Sequence, residues 1–140
     1  MASVFSRIIA GELPATFVWR DNRCVAFLSI NPLRPGHVLV VPREEVDHWV
    51  DLDPGTWSHL AEVSRTIGRA LDAAYRPAKV GMMLAGLEVP HVHVHLVPID
   101  GVHDLDFANA DPHPDQAALD EAAGRIREAL RSAGLEPAEA

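Results

Sequence analysis

Residues 91–97 read His-Val-His-Val-His-Leu-Val, with histidines at alternate positions. A β-strand points successive side chains to opposite faces, so this spacing places His91, His93 and His95 on one face and the apolar residues on the other. Valine is β-branched and favours a strand. Imidazole titrates near neutral pH and can act as a nucleophile, a general acid or base, or a metal ligand. The segment therefore predicts a strand that carries a candidate active site.

A single metal ion suits this row poorly. Alternate residues of a strand are roughly 6.5 Å apart, so His91 and His95 would be roughly 13 Å apart. Zinc holds a histidine nitrogen at about 2.0–2.1 Å, so one ion could engage two of the three at most. The row is better suited to act along an extended polar group of a ligand than to enclose one metal ion. Histidines on a half-exposed sheet can also simply face solvent, an alternative that the strict alternation disfavours.

The composition indicates an ordinary globular protein. The chain has 140 residues, 48% of them hydrophobic, and we expect one domain over residues 1–140. Its formal net charge is −8 and no basic stripe is present, which argues against binding to nucleic acid or to an anionic membrane. There is no run of about 18 apolar residues and no basic-plus-apolar signal at the start, so we expect a cytoplasmic protein. Cys24 has no second cysteine to pair with, and packing is its expected role.

Hydrophobic periodicity and chain breakers divide the sequence into helices and strands. Ser3 can cap a short helix that stops at Gly11, and Asp53-Pro54 can begin a long helix that Pro77 ends. The predicted strands span 15–19, 24–30, 37–41, 80–85 and 91–97, and an amphipathic C-terminal helix spans 119–133. Strands in hairpins with one long helix between strand pairs favour an α+β fold with a mostly antiparallel sheet.

Four segments resemble the histidine triad (HIT) family. Residues 91–97 match its defining His-x-His-x-His-x-x pattern, where x is hydrophobic. The sequences Phe-Ser-Arg-Ile-Ile-Ala-Gly-Glu-Leu-Pro-Ala at 5–15, Asn-Pro at 31–32 and Pro-Gly-His-Val-Leu-Val-Val-Pro at 35–42 are similar to the N-terminal half of its members. The resemblance covers about residues 3–99 and leaves a loop and a helix at 100–140. It implies a five-stranded, mostly antiparallel sheet and a homodimer.

The resemblance also implies a chemistry, since family members hydrolyse or transfer nucleoside monophosphates linked to amines, to other phosphates or to sugars. His93 would attack the α-phosphorus and form a nucleotidyl-histidine, which water then hydrolyses. His95 would contact the phosphate oxygens and help to protonate the leaving group, while His91 and His37 would orient and polarise the row. Histidine rather than glutamine at position 95 favours the hydrolase and phosphoramidase branches over the uridylyltransferase branch.

The resemblance assigns a nucleotide pocket in which two residues depart from the family pattern. Ser29 stands where an acidic residue usually holds the ribose hydroxyls, and a serine cannot bridge two hydroxyls as an anion does. Glu88 stands where a small hydroxyl residue often touches phosphate, and a carboxylate there would repel a bound phosphate. These departures keep open a nucleotide-sensing or partner-binding protein on the same fold. The residues matched to the pocket, of which the apolar ones could equally be core, are Val4, Phe5, Ile8, Phe27, Ser29, Ile30, Gly86 and Glu88.

A structural zinc site is present in many bacterial members of the family, built from two cysteines near the start, a histidine after the third strand and a triad histidine. The corresponding residues here are Ser3, Ser6 and Glu45, and the nearby His48 would be a lone ligand. We therefore expect no metal and no cofactor. The expected partner is a small-molecule nucleotide substrate.

Overall fold

The computed structural model describes residues 2–139. Its helices are α1 (Val4–Ile9), α2 (Pro54–Tyr75) and α3 (Gln116–Ser132), and its strands are β1 (Phe17–Arg20), β2 (Cys24–Leu28), β3 (Val38–Pro42), β4 (Lys79–Met83) and β5 (Val94–Ile99). Short 3-10 turns at Trp49–Asp51, Val102–Leu105 and Phe107–Asn109 lie in the connections. Each helix and strand that the sequence predicts is present, with ends shifted by a few residues.

The strands form one sheet in the order β1-β2-β3-β5-β4, and every neighbouring pair is antiparallel. The predicted α+β fold with a five-stranded antiparallel sheet is therefore confirmed. β3 is the central strand, and all of its residues are buried because other elements cover both faces of the sheet. Phe27 pairs with Leu39, and Leu39 pairs with His95, so these three residues form a row across the sheet.

The two faces of the sheet pack against different helices. On one face, Ile67 of α2 and Ile126 of α3 join a large apolar core that includes Val94 of β5. On the other face, Phe5 of α1 joins a smaller cluster with residues of β1, β2 and β3. Because successive residues of β5 face opposite sides, Val94 enters the large core while His95 lies on the α1 side. The alternation of valine and histidine in the sequence therefore separates core from candidate site.

Local signals set both ends of α2. The Asp53 side chain accepts the N–H of Thr56 at 3.0 Å, and Pro54 occupies the first helical position. The helix ends at Tyr75, after which Arg76 takes a left-handed conformation and Pro77 cannot continue the helix. α2 is 22 residues long. No helix within residues 2–139 combines the length and apolar character that a membrane span requires.

β5 begins at Val94, so His91 and His93 lie before the strand and not within it as the sequence predicts. Val92 donates its N–H to the carbonyl of Val46 at 2.8 Å, in the loop after β3. The carbonyl of Pro42, the last residue of β3, accepts a hydrogen bond from the His91 ring at 2.8 Å, and proline has no N–H to offer a neighbouring strand. The hydrogen-bond ladder between β3 and β5 therefore ends at Val94 and does not include residues 91–93.

Truncation of Ile67 tests the large core. Ile67 is fully buried between α2 and the sheet, so Ile67→Ala should lower the free energy of unfolding by about 2–5 kcal/mol. Arg69→Ala, an exposed change two residues along the same helix, should stay within about 0.5 kcal/mol of the parent. Urea unfolding followed by circular dichroism measures both. Equal effects of the two changes would contradict this packing.

Candidate active site

Four histidines lie together on the α1 side of the sheet. His37 directly precedes β3, and its ring centroid is 5.2 Å from that of His95. The centroids of His93 and His95 are 4.8 Å apart. Phe5 contacts the other side of the row, at 5.9 Å from His91 and 4.8 Å from His93. All four histidines are buried, and they are the four to which the resemblance assigns catalytic roles.

Hydrogen bonds define the proton positions on His37 and His95. The backbone N–H of Leu33 donates to Nδ1 of His37 at 3.0 Å, so the neutral ring of His37 carries its proton on Nε2. That Nε2–H donates to Nδ1 of His95 at 2.9 Å. His95 must then carry its own proton on Nε2. The chain of two hydrogen bonds therefore makes Nε2 of His95 a hydrogen-bond donor to whatever occupies the site.

His93 has the opposite arrangement. Its Nδ1–H donates to the backbone carbonyl of His91 at 2.7 Å. The neutral ring therefore keeps a lone pair on Nε2, the form that a nucleophile or a general base requires. A lone pair on His93 and an N–H on His95 lie on adjacent rings.

His91 is held from both sides. Its Nε2–H donates to the carbonyl of Pro42 at 2.8 Å, and the Ser3 hydroxyl donates to its Nδ1 at 2.7 Å. The backbone N–H of Ser3 and the hydroxyl of Ser6 both donate to Oε1 of Glu45 at 2.7 Å. This network joins α1 to the loop after β3 and fixes the residue whose carbonyl orients His93.

The same four residues occupy the position where the family resemblance implies a structural zinc ion. Thiolate, imidazole and carboxylate are the usual zinc ligands, and serine hydroxyls are not among them. Here the Ser3 hydroxyl is instead bound to Nδ1 of His91. The Glu45 carboxylate accepts from the backbone N–H of Ser3 and from the Ser6 hydroxyl. The residues present do not fit zinc, and hydrogen bonds hold α1 and His91 together instead.

The electrostatics of the row favour neutral imidazoles. Burial lowers the pKa of His37 to about 3 and that of His95 to about 4, and repulsion between neighbouring rings adds to the effect. Burial also lowers the pKa of His91 and of His93, although a hydrogen bond to a backbone carbonyl opposes the shift in each. The charge of the exposed Glu88 further offsets the effect of burial at His93. All four rings are therefore neutral at pH 7, as their hydrogen bonds require.

Three of the residues matched to the nucleotide pocket form an apolar wall beside the row. Phe5 lies 5.7 Å from Phe27 and 4.8 Å from His93 between ring centroids, and Ile8 packs against the same cluster. Ile8 also lines a groove of about 450 Å³ beside α1, which none of the four histidines lines. The apolar wall, and not the groove, bounds the candidate site, because only the wall contacts the histidines.

The remaining residues matched to the pocket lie near the ends of these elements. Val4 and Ile30 expose apolar side chains, at 41% and 68% of their surface. Ser29 is buried after β2, and its hydroxyl accepts the N–H of Asn31 at 3.2 Å. Gly86 has a φ of +73°, a left-handed conformation that favours glycine. Ser29 is thus engaged within its own loop.

The structure adds a neighbour that the sequence did not single out. Phe107, in the short turn after β5, lies 5.2 Å from His95 between ring centroids, with an edge-on geometry. It is the single large aromatic residue in the acidic stretch 100–115. That isolation was the available signal, but the stretch has no periodicity that would predict where the ring lies.

A second group of potential ligand atoms lies on the α2 side of the sheet. Within residues 2–139, Asp21, Cys24 and His59 alone place three such atoms within 4.8 Å of one another. The Asp21 carboxylate accepts hydrogen bonds from Trp19 at 2.8 Å, from His59 at 2.7 Å and from the backbone N–H of Arg23 at 2.7 Å. Burial raises the pKa of the Cys24 thiol, and the charge of Asp21 adds to this. The group therefore braces the β1–β2 turn against α2, and the expected absence of a metal stays a prediction.

Comparison with known proteins gives consistent matches. A family model described as the HIT domain matches residues 10–102, which contain all four histidines. An uncharacterized HIT-like protein of Mycobacterium tuberculosis is 34% identical over 140 residues, which cover 93% of this chain and 94% of that protein. The asymmetrical bis(5′-nucleosyl)-tetraphosphatase of Schizosaccharomyces pombe is 32% identical over 85 residues, covering 57% of this chain and 47% of the enzyme.

A solved structure with the same fold is that of a zinc-bound histidine triad family protein from Mycobacterium smegmatis. The two structures align with a TM-score of 0.81 and 27% sequence identity, and the alignment covers 96% of each chain. The fold therefore extends beyond the range of the family model and includes most of the C-terminal loop and helix.

Acid should destabilise the fold through the histidine row. The pKa values of about 3 and about 4 for His37 and His95 lie below the ordinary value of about 6.5, so the unfolded chain takes up protons first as the pH falls. The free energy of unfolding should be highest above pH 6.5 and should fall below it, and His37 and His95 alone should contribute a limiting slope of about 3 kcal/mol per pH unit for two protons.

Urea unfolding between pH 7.5 and pH 5 measures this slope. His95→Gln should reduce it by about one proton's contribution, whereas Val50→Ala, an exposed change that removes no titratable group, should leave it unchanged. An identical slope in the parent and the His95 variant would contradict the assignment.

Proposed function

The chain belongs to the histidine triad (HIT) family, and on that premise we propose that it is a nucleotide-binding hydrolase or transferase. It acts on a conjugate of a nucleoside monophosphate and cleaves a phosphoramidate or phosphoanhydride bond at the α-phosphorus. The reaction passes through a nucleotidyl intermediate on His93. Relatives of the chain include a named nucleotide hydrolase, which supports the reaction class.

The observation that carries this proposal is the pair of opposite tautomers on adjacent rings. His93 keeps its lone pair on Nε2 because its Nδ1–H is bound to the carbonyl of His91. His95 presents an Nε2–H because its Nδ1 accepts from His37. A nucleophile and a hydrogen-bond donor side by side are what a two-step displacement at phosphorus requires.

The two steps follow from these positions. Nε2 of His93 bonds to the α-phosphorus, and the bond from phosphorus to the leaving atom breaks, with its electron pair going to that atom. The leaving atom takes up a proton from Nε2 of His95, and the negative charge left on that ring is balanced by the positive charge of the nucleotidyl-His93 ring, which keeps its Nδ1–H. Water then attacks the phosphorus, the bond to His93 breaks, and a proton from the water returns to His95. His91 and His37 act by orienting the two reacting rings.

A nucleotide-sensing or partner-binding protein is the second candidate. Position 29, which the resemblance assigns to ribose recognition, is a serine and offers no carboxylate. Its hydroxyl already accepts a hydrogen bond from the backbone of Asn31. In this alternative the chain binds nucleotide and turnover is absent.

Replacement of the nucleophile distinguishes the two functions. Wild-type protein should release AMP from adenosine 5′-phosphoramidate, and His93→Gly should lower kcat/KM by about 10³-fold or more. Rapid acid quenching followed by mass spectrometry should show nucleoside monophosphate attached to the peptide that contains His93. Arg69→Ala, an exposed change on α2 across the sheet from the row, is the matched control. If the wild-type protein and its His93→Gly variant both bind AMP but neither releases it from the phosphoramidate, the hydrolase proposal is wrong and the nucleotide-sensing function is favoured.

The homodimer also belongs to the proposal. β4 is the last strand of the sheet, and Met82 on it exposes 55% of its surface. An unpaired strand edge with an exposed apolar residue suits a two-fold contact with a second copy. Sedimentation equilibrium should give a dimer of the 15.2 kDa chain, and Met82→Lys should shift it towards monomer. A monomeric wild type at micromolar concentration would refute this.

A further inference from the structure

We propose that residues 100–111, called here the cover segment, form a subsite for the leaving group, with Phe107 as its aromatic wall. The subsite fits an amine that carries a planar ring and disfavours an anionic polyphosphate. The inference deepens the proposed function and rests on it. It concerns a part of the chain that lies mostly beyond the family match, which ends at residue 102.

Aromatic side chains flank the histidine row at its two ends. Phe5 contacts His91 and His93, and Phe107 contacts His95 at 5.2 Å between centroids. In an in-line displacement the leaving atom departs on the side opposite the nucleophile. Since His93 is the nucleophile and His95 donates to the leaving atom, the end of the row near Phe107 is the leaving-group end. The end near Phe5 then belongs to the nucleoside.

Phe107 is placed to contact a ligand. It exposes 49% of its surface although one edge packs on His95. A half-exposed aromatic ring beside polar groups offers an apolar face at small entropic cost, because its contact with His95 already orients it. The 3-10 turn that carries Phe107 is capped by Asp106, whose carboxylate accepts the N–H of Ala108 at 2.9 Å.

Two clamps hold the cover segment in place. Arg34 donates to Asp104 at 2.6 Å and to Asp100 at 3.2 Å. At the other end of the segment, the N–H of Asp111 donates to the carbonyl of Pro32 at 3.0 Å, and the Asn31 side chain donates to the carbonyl of Asp111 at 3.1 Å. Both clamps reach the loop at 31–34.

That same loop orients the proton donor. The backbone N–H of Leu33 fixes the tautomer of His37, and His37 in turn fixes that of His95. One loop therefore positions the donor to the leaving atom and the wall that faces the leaving group. This shared support makes the cover segment part of the reacting end of the site and not a remote connection.

The charge of the segment selects the leaving group. The cover segment contains four aspartates and neither lysine nor arginine. Arg34, the cation that reaches the segment, is paired with two of these carboxylates. A polyphosphate leaving group would bring more negative charge to this end and would find no unpaired cation among these contacts. The negative field of these aspartates attracts a protonated amine and does not repel a neutral one. Phe107 adds a preference for an amine that carries a ring.

Binding to a protein that cannot turn over tests the subsite independently of hydrolysis. In the His93→Gly background, calorimetry compares adenosine 5′-phosphoramidate, its N-(2-phenylethyl) derivative and ATP. The phenylethyl derivative should bind about tenfold more tightly than the unsubstituted compound, and ATP should bind most weakly. Phe107→Ala should abolish the tenfold difference. Val50→Ala, an exposed apolar change outside the cover segment, should preserve it.

The outcomes separate the two proposals. Turnover of the unsubstituted phosphoramidate by wild-type protein tests the hydrolase, and the ratio of the two phosphoramidate affinities tests the subsite. In the catalytically competent protein, Phe107→Ala should lower kcat/KM about tenfold more for the phenylethyl derivative than for the unsubstituted compound. Equal losses for both would mean that Phe107 only positions His95 and would overturn the subsite. Equal affinities of the two phosphoramidates in the parent, tight binding of ATP, or no binding at all would overturn it as well.

Discussion

The hydrogen bond from Nδ1 of His93 to the carbonyl of His91 is the constraint on which the candidate site depends. It fixes which nitrogen of His93 has a lone pair, and it does so only while the backbone of His91 is immobile. His91 meets this condition because its ring is fully buried and is bound by Pro42 on one nitrogen and by Ser3 on the other. An unpaired ring nitrogen at that depth would be costly, so the network is favoured as a unit.

The short N-terminal helix α1 therefore has two roles. Its cap, Ser3, orients His91, and Glu45 ties that cap to the loop after β3. Its first turn also supplies Phe5, whose ring packs on His93 and on Phe27. Docking of α1 thus fixes the tautomer of His91 and completes the apolar wall of the row. Where the family resemblance implies a zinc ion, this chain obtains the same connection from neutral and charged hydrogen bonds.

Burial of the histidine row determines the protonation state of its imidazoles. Burial keeps the imidazoles neutral near pH 7, so His93 is already in the form that can attack phosphorus. The donor at His95 depends in turn on His37, which is held by a backbone N–H of the loop that also clamps the segment after β5. This end of the candidate site is therefore built from one loop, one strand and the chain that follows it, and a shift in any of them would move the others.

The sequence alone determined the fold class, the ends of α2 and the side of the sheet that carries the histidines. These depend on local rules, since the alternation in 91–97 separates the valines from the histidines and α2 follows from Asp53, Pro54 and Pro77. Tertiary structure alone decided the start of β5, the tautomers and the place of Phe107. Ser3 and His91 are 88 residues apart, and no local pattern shows which distant group will bind a ring nitrogen. Spacing in the chain therefore defined the candidate residues, while long-range hydrogen bonds decided the chemical form of each.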